Sequence, residues 1–227
     1  MIVRQSEVEP KVALLDGNLL VDCPRKHMLD AALDAISRSC ESLWSRNRTL
    51  FTDALAEKAL ETFIDHLPAA INDRNPAALQ AVLEASSAAN LACGNTGLAL
   101  IHALNTAPDV PLPHGYTDGC LLLAVYVFNK SHMEQKHQTL IEKLPPMFEK
   151  IGWNGRFKQD EVGPESAELF VQASRDHPFR KNNIRPSSGM LRCDPIWIPS
   201  ADAFSCADEE CYDILKESGA RIKTVVV

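Results

Sequence analysis

Four residues carry the chemistry this sequence offers: Asp34, Arg38, His102 and His114. Asp34 and Arg38 are four apart, so on a helix they share one face. There a carboxylate and a guanidinium either pair with each other or present charge to a common ligand. His102 ends an otherwise apolar helical stretch. His114 sits at a loop-to-helix junction with Gly115 behind it, where a side chain can point into a cleft. Imidazole changes charge near neutral pH and so suits acid–base work. By spacing alone, a satisfied structural role is the stronger account of each histidine.

The elements that would position this set are helical. Met28, Leu29, Ala32, Leu33, Ile36 and Cys40 recur at three- and four-residue intervals, and Ala54, Leu55, Ala59, Leu60, Phe63 and Leu67 repeat the pattern. This periodicity predicts two amphipathic helices. Pro24 and Pro68 read as boundaries, because proline is tolerated at a helix start and breaks bonding in its interior. Asn75-Pro76 opens a third, long helix, whose small residues Ala85, Ser86, Ser87, Ala88 and Ala89 permit close approach and make it central. Residues 94–97 interrupt it before an apolar helix over 98–104 that carries His102. A proline-rich loop over 107–113 then delivers His114 to the start of another apolar helix at 120–128. Helices over 134–151 and 163–174 follow, separated by a glycine turn at 152–155. Residues 182–205 read as an irregular loop and 207–218 as a last short helix. Only the apolar run 11–16, ended by Gly17-Asn18, reads as a strand and turn. The expected fold is therefore all-α, with at most one short N-terminal strand. A strand and turn occupy 1–22 and a helical domain 23–227, without internal repeats.

Bulk properties exclude several classes. The 30 acidic and 23 basic residues give a net charge of -7 without a long single-sign block, unlike the basic footprint of a nucleic-acid binder. The longest apolar stretch, 120–128, is far shorter than the roughly 20 residues of a membrane helix. The first residues lack the basic start and apolar centre of a signal peptide, so a cytoplasmic protein is expected. Seven cysteines (Cys23, Cys40, Cys93, Cys120, Cys193, Cys206 and Cys211) are scattered without a CxxC pair and read as reduced structural thiols.

An ordered set of motifs points further. Ala32-Leu33-Asp34-Ala35-Ile36-Ser37-Arg38-Ser39-Cys40-Glu41-Ser42 resembles the Gly-Leu-Asp-Ala-Leu-Ser-His-Ala-Ile-Glu pattern of iron-containing alcohol dehydrogenases. Asn95 to Leu104 and Pro113-His114-Gly115 resemble that family's two later histidine motifs. Phe128-Asn129 and His177-Pro178-Phe179-Arg180-Lys181-Asn182-Asn183 match as well. Glu41-Ser42-Leu43-Trp44-Ser45 also looks like the group III branch that contains phosphonoacetaldehyde reductases. The resemblance implies the dehydroquinate synthase-like helical bundle of that family's C-terminal half.

The resemblance also implies a divalent iron or zinc held by one aspartate and three histidines, at Asp34, position 38, His102 and His114. Position 38 is arginine here, whose guanidinium stays protonated and has no lone pair to give. A further family histidine just after His102 is replaced by Asn105 or Thr106. Family members begin with a nucleotide-binding domain. No GxGxxG or GGGS stretch occurs in this sequence, and the glycine cluster at 94–97 lies between helical segments rather than after a strand. The expectation is a chain with no resident cofactor, with Fe2+ or Zn2+ at Asp34, His102 and His114 as the alternative.

Asp34, Arg38, His102 and His114 would then be the catalytic set for non-redox proton transfer, cyclisation or elimination on a small anionic or carbonyl-containing metabolite. Arg38 would bind a carboxylate, phosphonate or enolate oxygen, and a histidine would serve as acid or base. Two other readings stay open. One is a split or degenerate NAD(P)-dependent alcohol dehydrogenase or aldehyde reductase whose nucleotide domain is a separate chain. The other is a non-catalytic binding or assembly module in which Arg38 simply pairs with Asp34. The expected partners are a small-molecule substrate and a second copy in a homodimer, with no nucleic acid and no membrane. Arg180, Lys181 and Arg185 read as a solvated surface cluster.

Overall fold

The computed structural model describes residues 12–107, 110–158, 161–162 and 164–186. Among them run α1 (Arg25–Leu43), α2 (Leu50–Asp73), α3 (Pro76–Thr96), α4 (Leu100–Leu104), α5 (His114–Asn129), α6 (Gln135–Ile141), α7 (Leu144–Lys150) and α8 (Pro164–Arg175). Short 3-10 turns occupy Gly17–Leu20, Lys130–His132 and Pro178–Asn182. The fold is all-α, as expected. No strand forms among the described residues, and 12–16 take no regular structure. An isolated extended segment has no neighbour to accept its backbone hydrogen bonds. Lys11, residues 187–205 of the expected loop, the expected helix at 207–218, and Cys193, Cys206 and Cys211 lie outside the described residues. Cys40, Cys93 and Cys120 are buried free thiols and Cys23 is half-buried, in line with a structural role.

The helix α1 is the hub, packing against α2, α3 and α5. Leu33, Ile36, Cys40 and Leu43 on it are fully buried. The pair α2 and α3 lies alongside as a hairpin. Thr49 and Thr52 start α2 with a reciprocal capping box. Arg74 in the left-handed region (φ 54) ends it, and Asn75 Oδ1 accepts from Ala78 N at 3.0 Å to start α3. Pro68 does not end α2, contrary to expectation. The helix continues to Asp73, and burial of Ala70 and Ile71 in the next turn offsets the lost hydrogen bond. Gly94 likewise fails to interrupt α3, which stops at Gly97 (φ +75) instead. Conversely, the single helix expected over 134–151 is two. Pro145 and Pro146, in the first turn of α7, lack the N–H groups a continuous helix would use.

Two glycines bring α5 against α1. A Cβ at Gly115 would lie 1.9 Å from Asp30 O, and one at Gly119 would lie 2.7 Å from Trp153 Cη2 and 2.9 Å from Leu33 Cδ1. Only a hydrogen at these positions allows the first two turns of α5 to sit on α1, facing Asp34. The segment after α8 straps back over the end of α1. Arg46 N donates to Asn182 O at 2.7 Å, Ile184 N to Trp44 O at 2.8 Å, and the Asn129 and Asn183 amides exchange hydrogen bonds of 3.0 and 2.7 Å in the interior. Of the expected solvated cluster, Lys181 is exposed, whereas the two arginines pack against the protein. Arg180 is buried and donates to Ser174 O at 3.4 Å, and Arg185 stacks 4.0 Å over the Phe128 ring.

Candidate metal centre

The turn between α3 and α4 closes on Glu41, whose carboxylate is completely buried. It accepts backbone N–H groups from Ala99 (2.8 Å), Ile101 (2.7 Å) and His102 (3.2 Å). It therefore caps α4, a helix too short to hold itself in water. The same carboxylate lies 2.8 Å from His102 Nδ1. A carboxylate only accepts, so Nδ1 carries a proton and the lone pair or second proton of His102 is on Nε2. This is the arrangement in which an outer carboxylate orients a metal-ligating histidine.

His102 Nε2 points into a small cluster. It lies 3.3 Å from Asp34 Oδ1 on α1 and 3.5 Å from Asp118 Oδ2 on α5. His114, at the first position of α5, places Nε2 3.2 Å from Asp118 Oδ2 and 4.0 Å from Asp34 Oδ1. One donor atom from each of Asp34, His102, His114 and Asp118 falls within 4.8 Å of all the others. Asn105, just past α4, ties the α5 pair together. Its Nδ2 is 2.8 Å from Asp118 Oδ1, 2.9 Å from His114 O and 2.9 Å from His114 Nδ1. The two amide hydrogens of Asn105 serve these three acceptors, and a cation in the cluster would take the lone pair of His114 Nε2.

Charge is unevenly held. Burial resists ionisation of Asp34, but hydrogen bonds from His102 and Arg38 and their charges outweigh it, holding its carboxyl at about 2. Burial pushes Asp118 up to about 7, against the pull of His102 and Asn105. Burial also opposes the charge on His102, yet Asp118, Glu41 and Asp34 raise its pKa well above the usual imidazole range. His114 is lowered, by burial and then by the charge of His102. The cluster is thus built for positive charge at its centre.

The structure brings together Asp34, Arg38, His102 and His114, all four singled out in the sequence. Arg38 Nε donates to Asp34 Oδ1 at 2.9 Å and its Nη1 to Asn90 Oδ1 on α3 at 2.8 Å. The guanidinium is drawn sideways toward α3. Asp118, Glu41 and Asn105 were missed as site residues. Asp118 could have been found from its i+4 relation to His114, had α5 been started at His114 rather than at 120.

Residues 28–187 match the profile described as the Fe-containing alcohol dehydrogenase family, C-terminal. The chain belongs to that family. A 1-propanol dehydrogenase, PduQ, of Salmonella typhimurium is 33% identical over 123 residues, 53% of this chain and 33% of that protein. An iron-containing alcohol dehydrogenase from Thermotoga maritima superposes with a TM-score of 0.72 at 24% identity, covering 89% of this chain and 52% of that one. Sulfoacetaldehyde reductase from Bifidobacterium kashiwanohense, solved in complex with NAD+, superposes with a TM-score of 0.71 at 20% identity over 88% of this chain and 53% of that one. The chain spans about half the length of the solved relatives and less of the 1-propanol dehydrogenase.

Membership of an iron-containing family, with one structural neighbour solved with NAD+, overturns the expectation of a chain without a cofactor. That expectation rested on a guanidinium filling the cation's place. Arg38 instead leans on Asn90, and an additional carboxylate, Asp118, enters the cluster. The donor set fits a divalent iron or zinc. It offers two imidazole nitrogens and carboxylate oxygens, one histidine is oriented from behind by Glu41, and the buried Asp118 Oδ2 has no hydrogen-bond partner. No helix among the described residues is long and apolar enough to cross a membrane.

Proposed function

We propose that this chain supplies the metal-binding half of an alcohol–aldehyde oxidoreductase, with divalent iron or zinc held by Asp34, His102 and His114. The observation that carries this reading is the convergence of those three donors from α1, α4 and α5 on one point, with Glu41 fixing the tautomer of His102. The bound cation would act as a Lewis acid on the oxygen of a small alcohol or aldehyde. The chain's own residues do the positioning. Glu41 keeps His102 Nε2 aimed into the cluster, Asn105 holds the first turn of α5 in place, and Gly115 lets that turn approach Asp34. His114, whose side chain is 54% exposed, forms the wall open to solvent, where substrate would enter. Arg38, itself 29% exposed, places a fixed positive charge at the rim. That charge favours substrates carrying an anionic group beside the reacting carbonyl.

Hydride transfer needs NAD(P), and the described residues form helices and connecting turns without a strand-to-helix glycine loop of the dinucleotide type. In this reading the nucleotide is seated by a separate nucleotide-binding chain or segment docked on the helical half. The test is to purify the protein with Fe2+ or Zn2+ under anaerobic conditions and measure bound metal. One equivalent per chain is expected, lost in His102→Ala and His114→Ala. A folded protein that retains less than about a tenth of an equivalent would sink the proposal.

A further inference from the structure

Asp118 is the unexplained residue of the cluster. Its side chain is fully buried in the first turns of α5, and Oδ1 is satisfied by Asn105 Nδ2 at 2.8 Å. Oδ2 is buried without a hydrogen-bond partner. A carboxylate oxygen left bare in the interior is costly unless something positive meets it. Oδ2 is aimed between the two imidazoles, 3.5 Å from His102 Nε2 and 3.2 Å from His114 Nε2.

We propose that Asp118 is the fourth ligand of the cation, filling the coordination position that arginine at 38 cannot. The proposal rests on the reading that Asp34, His102 and His114 hold a divalent metal. Geometry supports it. In a tetrahedral site with bonds of roughly 2.0–2.1 Å, the donors stand about 3.3–3.4 Å from one another. The donor separations found here are 3.3 Å (Asp34 to His102), 3.5 Å (His102 to Asp118), 3.2 Å (His114 to Asp118) and 4.0 Å (His114 to Asp34). Of the six edges of such a tetrahedron, three of these four already have the dimensions expected around a zinc-sized ion, and all six lie within 4.8 Å. The i, i+4 spacing of His114 and Asp118 lets one helix supply two ligands on a common face. Arg38 Nε and Nη1 are meanwhile engaged by Asp34 and Asn90. The resulting centre has two nitrogens and two carboxylate oxygens rather than three nitrogens and one, and the substrate oxygen of the proposed reaction would enter as a fifth donor.

A second group of donors, Asp53, Glu57 and His137, provides the control. There His137 Nε2 already pairs with Glu57 at 2.7 Å and Asp53 pairs with Arg48 at 2.9 Å, so no bare oxygen awaits an ion.

The experiment titrates the full chain with Zn2+ and with Co2+, whose visible bands report coordination geometry. Wild type should take one equivalent and show a tetrahedral Co2+ spectrum. Asp118→Asn should lose affinity beyond the roughly 10–100-fold typical of a lost outer-shell partner and lose the tetrahedral bands. Glu57→Gln should bind as wild type, and Arg38→His in the Asp118→Asn background should recover tight binding. Should folded Asp118→Asn bind one equivalent with wild-type affinity and spectrum, Asp118 is no ligand, while the three-residue reading survives. Wild type that binds neither ion overturns both. If Asp118→Asn does not fold, Asp118→Glu carries the test, because a displaced oxygen must shift the Co2+ spectrum and an unchanged spectrum refutes the assignment.

Discussion

Replacing Glu41 by glutamine tests whether one buried carboxylate couples the fold to the site. Oε2 of Glu41 accepts from Ala99 N and His102 Nδ1, and Oε1 accepts from Ile101 N and His102 N. Glutamine preserves shape but turns one of these acceptors into a donor. Whichever way the amide faces, two of the four donors meet an N–H2 group in the interior. Each buried donor left unsatisfied costs about 1–3 kcal/mol, so Glu41→Gln should lower folding stability by about 2–6 kcal/mol. That is a large share of the roughly 5–15 kcal/mol a domain of this kind possesses. The same change removes the group that fixes His102, so any retained metal should bind about 10–100-fold more weakly. Urea unfolding followed by circular dichroism gives the first number and a Zn2+ titration the second. A variant within about 0.5 kcal/mol of wild type, with unchanged affinity, would show that Glu41 neither caps α4 nor orients His102.

Other perturbations read other links. Gly115→Ala puts a methyl 1.9 Å from Asp30 O and must push α5 off α1, so a loss of about 1–3 kcal/mol should accompany weaker metal binding. Thermal unfolding with and without Zn2+ checks both effects. Asp118 is raised from 3.8 to about 7, so in cation-free protein its contribution is fully present below about pH 4 and is lost as pH rises through 7. Metal-free Asp118→Asn should therefore match wild type near pH 4 and exceed its stability at pH 8, by at most about 4 kcal/mol. Saturating Zn2+ should reverse the order, and denaturant curves at the two pH values measure each arm. Asn129→Ala strands the Asn183 amide in the core and should cost about 1–3 kcal/mol while leaving metal affinity unchanged, since the strap lies apart from the donors.

The parts legible in the sequence are those carried by local periodicity. The apolar spacing of Met28 to Cys40 and Ala54 to Leu67 gave α1 and α2, and the Asn75-Pro76 start gave α3, because each signal lies within the element it describes. The prolines misled in both directions. Pro68 is tolerated because the turn beyond it buries Ala70 and Ile71, whereas Pro145-Pro146 splits a helix whose apolar period runs on regardless. Apolar spacing alone places the start of α5 at 120, six residues late, since Thr117 and Asp118 break the pattern. That delay hid the His114–Asp118 pairing. Glu41 sits inside a recognisable motif, yet its partners are about 60 residues away, and no local pattern marks a carboxylate as buried. Asn105 was read as the loss of a histidine, when its amide is what holds the α5 turn in place.

Arg38 and Asp118 make better sense together than either does alone. Three carboxylates, Asp34, Glu41 and Asp118, surround the donors, and Arg38 is the guanidinium paired within the group. With neutral imidazoles this leaves two negative charges without compensation, which a divalent cation would neutralise. When no cation is bound, the same field draws a proton onto His102, which explains why its pKa rises despite nearly complete burial. An arginine at position 38 without the acid at 118 would leave the site short of both a donor and a negative charge. An acid at 118 without the arginine would leave it one charge too negative even when loaded. The substitution that seemed to abolish a metal centre is thus balanced, in charge and in donor count, by a carboxylate one helix away.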